Sequence, residues 1–317
     1  MRGQRNFLIG LLVLGVGVVL IGQALGVWPA GLGDLLLRAL PAILVALGLG
    51  AILRGRVPFA SIIALAITAF IVVNIALVAF SGRASQQRTD QTVVVAEAVS
   101  PNVTLVSIEI ALLSSDLDLV ADTSGQRIVS GQFVGSTESA VDVTYADDGT
   151  GRAVLRITES QPNPFPDLED VGRGQLALTL PAGVGLDIAV RVQQGAATLN
   201  LDLLDLERLN LDVVRGDAIV NLPDYQPRSP SVTADPTAPI GTLTVADGGI
   251  TVAVPSGVGA RFELNRAGSG IDPQYDATLY NYLVGDVLES RNFDRAATQL
   301  RYVISARGAI RITEIAR

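Results

Sequence analysis

The sequence predicts three membrane-spanning α-helices followed by an all-β domain of stacked, solenoid-like repeats. Two observations support this fold class. Three long apolar runs fill the first 80 residues and have no counterpart later in the chain. Beyond residue 100, apolar residues instead alternate with polar ones, and glycine opens several of the alternating segments. Alternation with a period of two is typical of strands that bury one face.

The apolar runs are long enough to cross a bilayer. They cover Phe7–Val27, Leu35–Leu53 and Phe59–Phe80, and a helix needs about 20 residues to span about 30 Å of hydrocarbon. We therefore predict a membrane domain over residues 1–82, with the lipid bilayer as one partner. Arginines in the N-terminal flank and between the second and third runs favour a cytoplasmic N-terminus. Three crossings would then place residues 83–317 outside the cytoplasm.

A glycine-led repeat organises the predicted β domain, which covers residues 101–317. Three segments start 21 residues apart, each with apolar residues two, four and six positions after its glycine, and two further segments follow. Glycine suits bends and positive φ, whereas the proline that closes several segments cannot extend a ladder of hydrogen bonds. The repeat glycines, for which we predict a structural role, are Gly174, Gly195, Gly216, Gly248 and Gly308.

The repeats are expected to stack, because one such unit cannot bury its apolar face alone. A two-sheet β-sandwich is the alternative, since hairpins of constant length also produce regular spacing. A largely polar stretch over residues 83–100 is predicted to be a tether between the membrane domain and the β domain.

Tyrosines cluster in one stretch that breaks the repeat. Tyr275, Tyr280 and Tyr282 are half of the six tyrosines in the chain. They predict either an aromatic contact surface for a ligand or partner, or a cap that closes the last layer with its rings turned inward.

Missing residue types exclude several classes of active site. The chain has no cysteine, histidine or lysine, which rules out thiol nucleophiles, Ser-His triads, Cys/His zinc sites and phosphate-loop lysines. The net charge of −8 opposes nucleic-acid binding. We therefore predict no enzymatic activity, no cofactor and no nucleic-acid partner.

Paired carboxylates are the remaining candidates for cation binding, and no metal site is predicted from them. The pairs are Asp116/Asp118, Asp202/Asp205 and Glu169/Asp170. Only the first pair shares one face of a predicted strand, as a period of two requires. A solvated polar face is the simpler interpretation of all three pairs.

Several segments resemble a known family. The apolar run from residue 7 to 17 and the Leu-Gly-Leu-Gly end of the second run look like the transmembrane region of LiaF-type envelope proteins. Residues 103–317 resemble the toast-rack domain of cell-wall-active antibiotic response proteins. The segments that carry this second resemblance are Ser114–Leu119, Gln126–Gly135, the repeats over 174–223 and Gly308–Ile312. The resemblance implies a bacterial regulator of cell-envelope stress signalling that acts with another membrane protein, such as a sensor kinase.

These observations give two hypotheses for function. The first is a membrane-anchored, envelope-facing β-repeat protein that modulates envelope stress signalling through protein contacts. Its cytoplasmic parts would be limited to residues 1–6 and 54–58, so any signal would pass through another membrane protein. The alternative is a structural or adhesive module that binds cell-surface polymer.

Overall fold

The computed structural model describes residues 86–163, 172–228, 238–265 and 272–315, together with isolated positions 66, 69, 70 and 74. The chain divides into two compact units, and the second unit, residues 85–163 and 172–317, contains every strand given below. The three predicted membrane spans fall outside the described residues, apart from those isolated positions. Among the described residues, no helix is both long and apolar enough to cross a membrane.

Eighteen strands and one short 3₁₀ turn build the described part of the chain. In chain order the strands are β1 (Gln91–Ala98), β2 (Leu105–Leu112), β3 (Ser115–Ala121), β4 (Ile128–Gly135), β5 (Ala140–Asp147), β6 (Arg152–Ser160), β7 (Gly174–Leu180), β8 (Gly185–Gln194), β9 (Ala197–Asn200), β10 (Leu206–Arg215), β11 (Ala218–Asn221), β12 (Gly241–Asp247), β13 (Ile250–Pro255), β14 (Gly259–Asn265), β15 (Tyr280–Leu283), β16 (Val287–Ser290), β17 (Gln299–Ala306) and β18 (Ile310–Ile315). The 3₁₀ turn, Phe293–Arg295, lies between β16 and β17. The all-β prediction is therefore confirmed for this part of the chain.

The strands form two sheets. The eight-stranded sheet has the order β1-β4-β7-β3-β9-β11-β13-β18, and the ten-stranded sheet has the order β15-β16-β14-β17-β12-β10-β8-β2-β6-β5. Neighbouring strands in the middle of both sheets run parallel. Antiparallel pairs occur only toward the ends of these sheets, at β1, β4, β5, β15 and β16. The stacked-repeat prediction and the two-sheet alternative are therefore compatible, because the repeats stack within two facing sheets.

One strand of the ten-stranded sheet and the next strand of the eight-stranded sheet together make one rung. Six rungs follow in the same order in both sheets: β6/β7, β2/β3, β8/β9, β10/β11, β12/β13 and β17/β18. This order departs from chain order at its start, because β6/β7 lies outside β2/β3. Beyond the last rung, β14 pairs with β17 and extends the ten-stranded sheet.

Alternation along the strands places one apolar layer between the two sheets. Leu117 and Leu119 of β3 lie beside Leu176 and Leu178 of β7, and all four are at most 2% exposed. They belong to a continuous cluster of buried residues contributed by both sheets. Burying a side chain of this size contributes roughly 1.5–3 kcal/mol relative to leaving it exposed.

The β domain begins earlier than the sequence predicted. Residues 91–98 form β1, which pairs with all eight positions of β4. Val95 is buried and Val93 packs against the core. The tether predicted over residues 83–100 is therefore wrong across β1, because these valines extend the core instead of linking two domains.

Candidate functional site

The predicted repeat glycines occupy one column at the edge where the two sheets meet. Each member lies against the backbone or side chain of its neighbour in the next rung. From one end to the other, the column contains Gly174, Ser115, Gly195, Gly216, Gly248 and Gly308. The rung β2/β3 thus places a serine where the other rungs have glycine.

Gly216 illustrates why most positions of this column are glycine. Its φ is +136°, and a Cβ added there would lie 2.0 Å from the carbonyl oxygen of Gly195. Such a distance is far below a normal contact, and L-residues rarely adopt such a φ. The column is therefore backbone packed on backbone, which brings successive rungs into hydrogen-bonding distance.

Aspartates beside the column satisfy amide groups at the bends. Oδ1 of Asp217 accepts a hydrogen bond from the N–H of Gly249 at 2.8 Å. Oδ1 of Asp116 accepts one from the N–H of Ala196 at 2.8 Å and another from the guanidinium of Arg173 at 3.2 Å. Asp116 therefore has a structural task, since unpaired amides at these bends would be costly.

The predicted carboxylate pairs do not assemble a metal centre. Although Asp116 and Asp118 share a strand face, Arg173 already engages Asp116. Asp202 is exposed, while burial raises the pKa of Asp205 and the attraction of Arg228 opposes that rise. The third pair, at positions 169 and 170, lies outside the described residues. Within the described part of the chain, no group of three or more acidic, histidine or cysteine side chains could hold a metal ion.

The three clustered tyrosines have different environments. Tyr280 is only 4% exposed, and burial raises its pKa above the ordinary value. Tyr275 packs against the core and stacks on Tyr282, with ring centroids 6.2 Å apart and planes inclined by 12°. Tyr282 is 39% exposed, and its hydroxyl donates a hydrogen bond to Oδ1 of Asp286 at 2.5 Å. The cap and the contact surface therefore coexist, with Tyr280 in the core and Tyr282 at the surface.

Next to Tyr282, the turn between β15 and β16 presents two more apolar side chains to solvent. Leu283 is 39% exposed and Val284 is fully exposed. We call Tyr282, Leu283 and Val284 the hairpin tip. Gly285 and Asp286 close the turn with φ of +87° and +59°. Sequence reasoning missed the two aliphatic members, although the Gly-Asp pair that follows them is a turn signal.

The outer face of the ten-stranded sheet holds an open depression of about 600 Å³. Its short floor residues are Ala111 and Ala189. Two exposed ion pairs lie around them: Arg156 bonds Glu109 at 2.7 Å, and Arg191 lies 3.7 Å from Asp212. The lining of the depression is mainly apolar, and the charges around it balance one another.

Two buried glutamates form hydrogen bonds to irregular segments. The sequence analysis did not identify either glutamate. Glu159 accepts hydrogen bonds from the N–H groups of Leu113 and Ser114 and from the hydroxyl of Ser139. Glu207 accepts bonds from the Tyr225 hydroxyl at 2.6 Å and from the N–H of Arg228 at 2.7 Å. Burial and this bond to Glu207 raise the pKa of Tyr225. Each glutamate therefore stabilises the position of an irregular segment through its hydrogen bonds.

Family comparison agrees with this architecture. The family model described as the N-terminal domain of toast_rack, DUF2154, matches residues 83–245, just over half of the chain. The chain belongs to this family. The match begins before β1, so toast-rack membership also agrees with the early start of the β domain. No match was found among curated proteins.

Two solved structures resemble the toast-rack chain. A candidate cell adhesion protein from Clostridium sporogenes ATCC 15579 aligns with a TM-score of 0.53 and 14% identity, over 71% of this chain and 100% of that one. A candidate adhesin from Bacteroides fragilis NCTC 9343 aligns over 72% and 99% at 12% identity, with a TM-score of 0.24 that is too low to indicate a shared fold. The first likeness shows a common β fold.

Proposed function

We propose that this toast-rack protein is anchored in a membrane by its N-terminal apolar runs and modulates cell-envelope stress signalling through protein contacts of its β domain. The runs support anchoring, and the placement of arginines supports a β domain outside the cytoplasm. Family membership and the LiaF-type character of the first run support a role at the envelope. No catalytic activity is proposed, because the chain lacks cysteine, histidine and lysine.

The hairpin tip is the observation that carries the contact role. Three consecutive exposed apolar residues oppose solubility unless they serve a function. The ring stack and the hydrogen bond to Asp286 hold Tyr282 in place before any partner binds. A rigid apolar anchor loses little conformational entropy on docking, which favours its use as an interface hot spot.

Charge around the hairpin tip favours a protein partner over a lipid surface. Residues 280–290 contain two acids, Asp286 and Glu289, and no base. Glu289 forms an ion pair with Arg261 of β14 at 3.1 Å, so Asp286 carries the remaining negative charge. Apolar segments that dock on anionic membranes are instead accompanied by lysine or arginine. We therefore propose that the occupant is the external part of another membrane protein, with an apolar cleft rimmed by basic residues.

Photo-crosslinking in intact cells tests this contact. A benzoyl-phenylalanine placed at position 284 of the full chain is expected to crosslink to one membrane protein. The same group at position 144, which is exposed on β5 at the far end of the ten-stranded sheet, is expected to give no such product. Adding Leu283→Asp should abolish the product, because a charge would be buried in an apolar cleft.

Crosslinking to lipid alone, or equal products from positions 284 and 144, would contradict the proposed contact. Mapping the product on the partner must also place the crosslink beside basic residues. A partner surface without such residues would refute the charge argument.

Binding of cell-surface polymer is the second candidate. It is favoured by the open depression of the ten-stranded sheet, where paired charges surround a mainly apolar lining, and by the fold shared with a candidate cell adhesion protein. It predicts that the purified full chain is retained on isolated envelope polysaccharide at low salt. Passage without retention would remove this candidate and leave the protein-contact proposal in place.

A further inference from the structure

One edge strand of the described sheets is long, regular and almost uncharged. β1 ends the eight-stranded sheet and pairs with β4 alone. Its eight residues pair without a register shift, and they include no proline and one charge, Glu97. Val94 in its middle is 72% exposed. Proteins normally shield sheet edges with charges, proline, bulges or covering segments, because an open edge is a template for another strand.

The other three sheet edges in the described part of the chain are protected. Gln274 covers β18, because it donates a hydrogen bond to the carbonyl of Ile310 and accepts one from the N–H of Ile312, both at 2.8 Å. β15 has only four residues. β5 carries two acids, Asp142 and Asp147. β1 is therefore the edge where addition of a strand meets the fewest obstacles.

The hydrogen bonds of β1 show which of its backbone groups face the open edge. The N–H of Val99 donates to the carbonyl of Arg127 at 2.8 Å, directly after the last pair of β1 and β4. Hydrogen-bonded and non-bonded pairs alternate along an antiparallel ladder, so the odd-numbered residues of β1 bond to β4. The N–H and C=O groups that point to the open edge belong to the even-numbered residues, Thr92, Val94, Ala96 and Ala98.

The described chain that leads into β1 does not fill this edge. The N–H of Arg88 bonds to the carbonyl of Arg173 at 2.9 Å, and Arg173 directly precedes β7, which lies on the other side of β4. The side chains of all four edge-facing residues are also exposed. Within the described part of the chain, the edge is therefore available to a strand from outside.

We propose that this edge pairs with β1 of a second copy of the chain, antiparallel and about a two-fold axis beside Val95. Thr92 of one copy lies opposite Ala98 of the other, and Val94 lies opposite Ala96, with each pair exchanging two hydrogen bonds. This register satisfies every N–H and C=O group that faces the open edge. A two-fold contact of this kind is self-complementary, so a single edge supplies both halves of the interface.

Charge and chain layout suit a second copy. In this register Glu97 lies opposite Val93, so the two glutamates of the pair do not face each other. The inference also draws on the membrane anchor of the proposed function. The third apolar run ends at Phe80, so about 35 Å of extended chain at most separates it from β1. Anchored copies therefore hold β1 at similar heights above one membrane, which raises their effective concentration.

Disulfide trapping in membranes tests the register on the full chain, which has no cysteine of its own. Two differently tagged copies are co-expressed, one with Val94→Cys and one with Ala96→Cys, and the membranes are oxidised. A disulfide-linked pair with both tags is expected, because Cα atoms of a hydrogen-bonded pair are about 5.5 Å apart. Val94→Cys in both copies should give little product, because the thiols are then diagonal, with Cα atoms more than about 7 Å apart.

Two further variants make the test specific for edge pairing. Thr144→Cys in both copies is exposed on the other long edge strand, β5, and should give no linked pair. Thr92→Cys and Ala98→Cys also face each other, and their linkage should be lost when Val94→Pro is added to both copies. Proline removes an N–H that faces the open edge and spares the hydrogen bonds to β4, and thermal melting verifies the fold.

No linked pair from Val94→Cys with Ala96→Cys would overturn the proposal. Equal yields from Val94→Cys in both copies, or unchanged linkage in a folded Val94→Pro chain, would show collision without strand pairing and would overturn it too. Capture of a different protein by Val94→Cys would assign the edge to a foreign strand. Membrane fractionation of the same samples scores the anchor separately, because a linked pair outside the membrane fraction would keep the pairing and refute the proposed anchor.

Discussion

The two narrow sides of the stack follow different rules. On the glycine side, where strands of the ten-stranded sheet bend into the eight-stranded sheet, residues 195–196, 216–217 and 248–249 each make a two-residue bend. On the return side, the connections range from three residues at 256–258 to nineteen at 222–240. The inner rungs therefore share one bend length on the glycine side. The outer rungs depart from it, with three residues at 307–309 and thirteen at 161–173.

Backbone contact explains this difference. On the glycine side, Gly216 touches the backbone of Gly195, and Asp217 bonds an amide of the next rung. An inserted residue in one of the bends at 195–196 or 216–217 is expected to disturb this contact between neighbouring rungs. On the return side, longer connections cost little, because closure entropy rises only slowly with loop length. The hairpin tip belongs to a long excursion between β14 and β17, two parallel strands of the ten-stranded sheet.

Substitution of a column glycine is the largest expected effect. Gly216→Ala should lower the free energy of unfolding by about 3–5 kcal/mol, because it combines an unfavourable φ with overpacking against Gly195. Gly183 on the return side also has positive φ, +74°, but a Cβ there meets no atom within 4 Å. Gly183→Ala should therefore cost only about 1 kcal/mol. Urea unfolding of both variants measures the difference.

Equal destabilisation by Gly216→Ala and Gly183→Ala would contradict the proposed difference between the glycine side and the return side. It would mean that φ alone matters and that contact between rungs contributes nothing on the glycine side.

A smaller effect concerns the pH dependence of stability near the return side. Burial raises the pKa of Asp187, and the attraction of Arg208 only partly offsets it. Between the unfolded and folded pKa values the folded state binds more protons, so the free energy of unfolding falls as pH rises through that window. Asp187→Asn removes this penalty and should stabilise the protein at pH 7 but not at pH 3.

Asp122, in the exposed turn after β3, supplies a control of opposite sign. Hydrogen bonds from the hydroxyl and the N–H of Ser124 lower its pKa. Its contribution to stability is present above the unfolded pKa and is lost as pH falls. Asp122→Asn should therefore destabilise the protein at pH 7, and urea titrations at both pH values should separate the two variants. The same sign for both would contradict the assigned causes.

The glycine side could be predicted from sequence because its cause is local. Close backbone contact requires glycine at Gly195 and Gly216, and the 21-residue spacing extends back to Gly174. The rung β2/β3, which has Ser115 at this place, departs from the pattern. Alternation likewise identified strands and the face that each strand buries. The segments that open at Gly174, Gly195, Gly216, Gly248 and Gly308 all became strands of the eight-stranded sheet.

The order of the strands could not be predicted, since alternation shows which face is buried but not which strand is the neighbour. The rung β6/β7 lies outside β2/β3, and β1 joins the sheet through β4, both by long-range pairing. The burial of Tyr280 and the exposure of Tyr282 also depend on tertiary position. The sequence gives no signal that distinguishes these two tyrosines, which are two residues apart. Asp116 differs from Asp118 in its partners, Arg173 and the N–H of Ala196, which lie 57 and 80 residues away along the chain.

The central claim, that an anchored β domain faces the cell envelope, is tested most directly by labelling single cysteines in intact cells. The chain contains no cysteine, so Val284→Cys and Arg56→Cys would each introduce one unique thiol. A membrane-impermeant maleimide should label Val284→Cys in intact cells and Arg56→Cys only after permeabilisation. Labelling of Arg56→Cys in intact cells, with protection of the exposed Val284→Cys until lysis, would contradict the account.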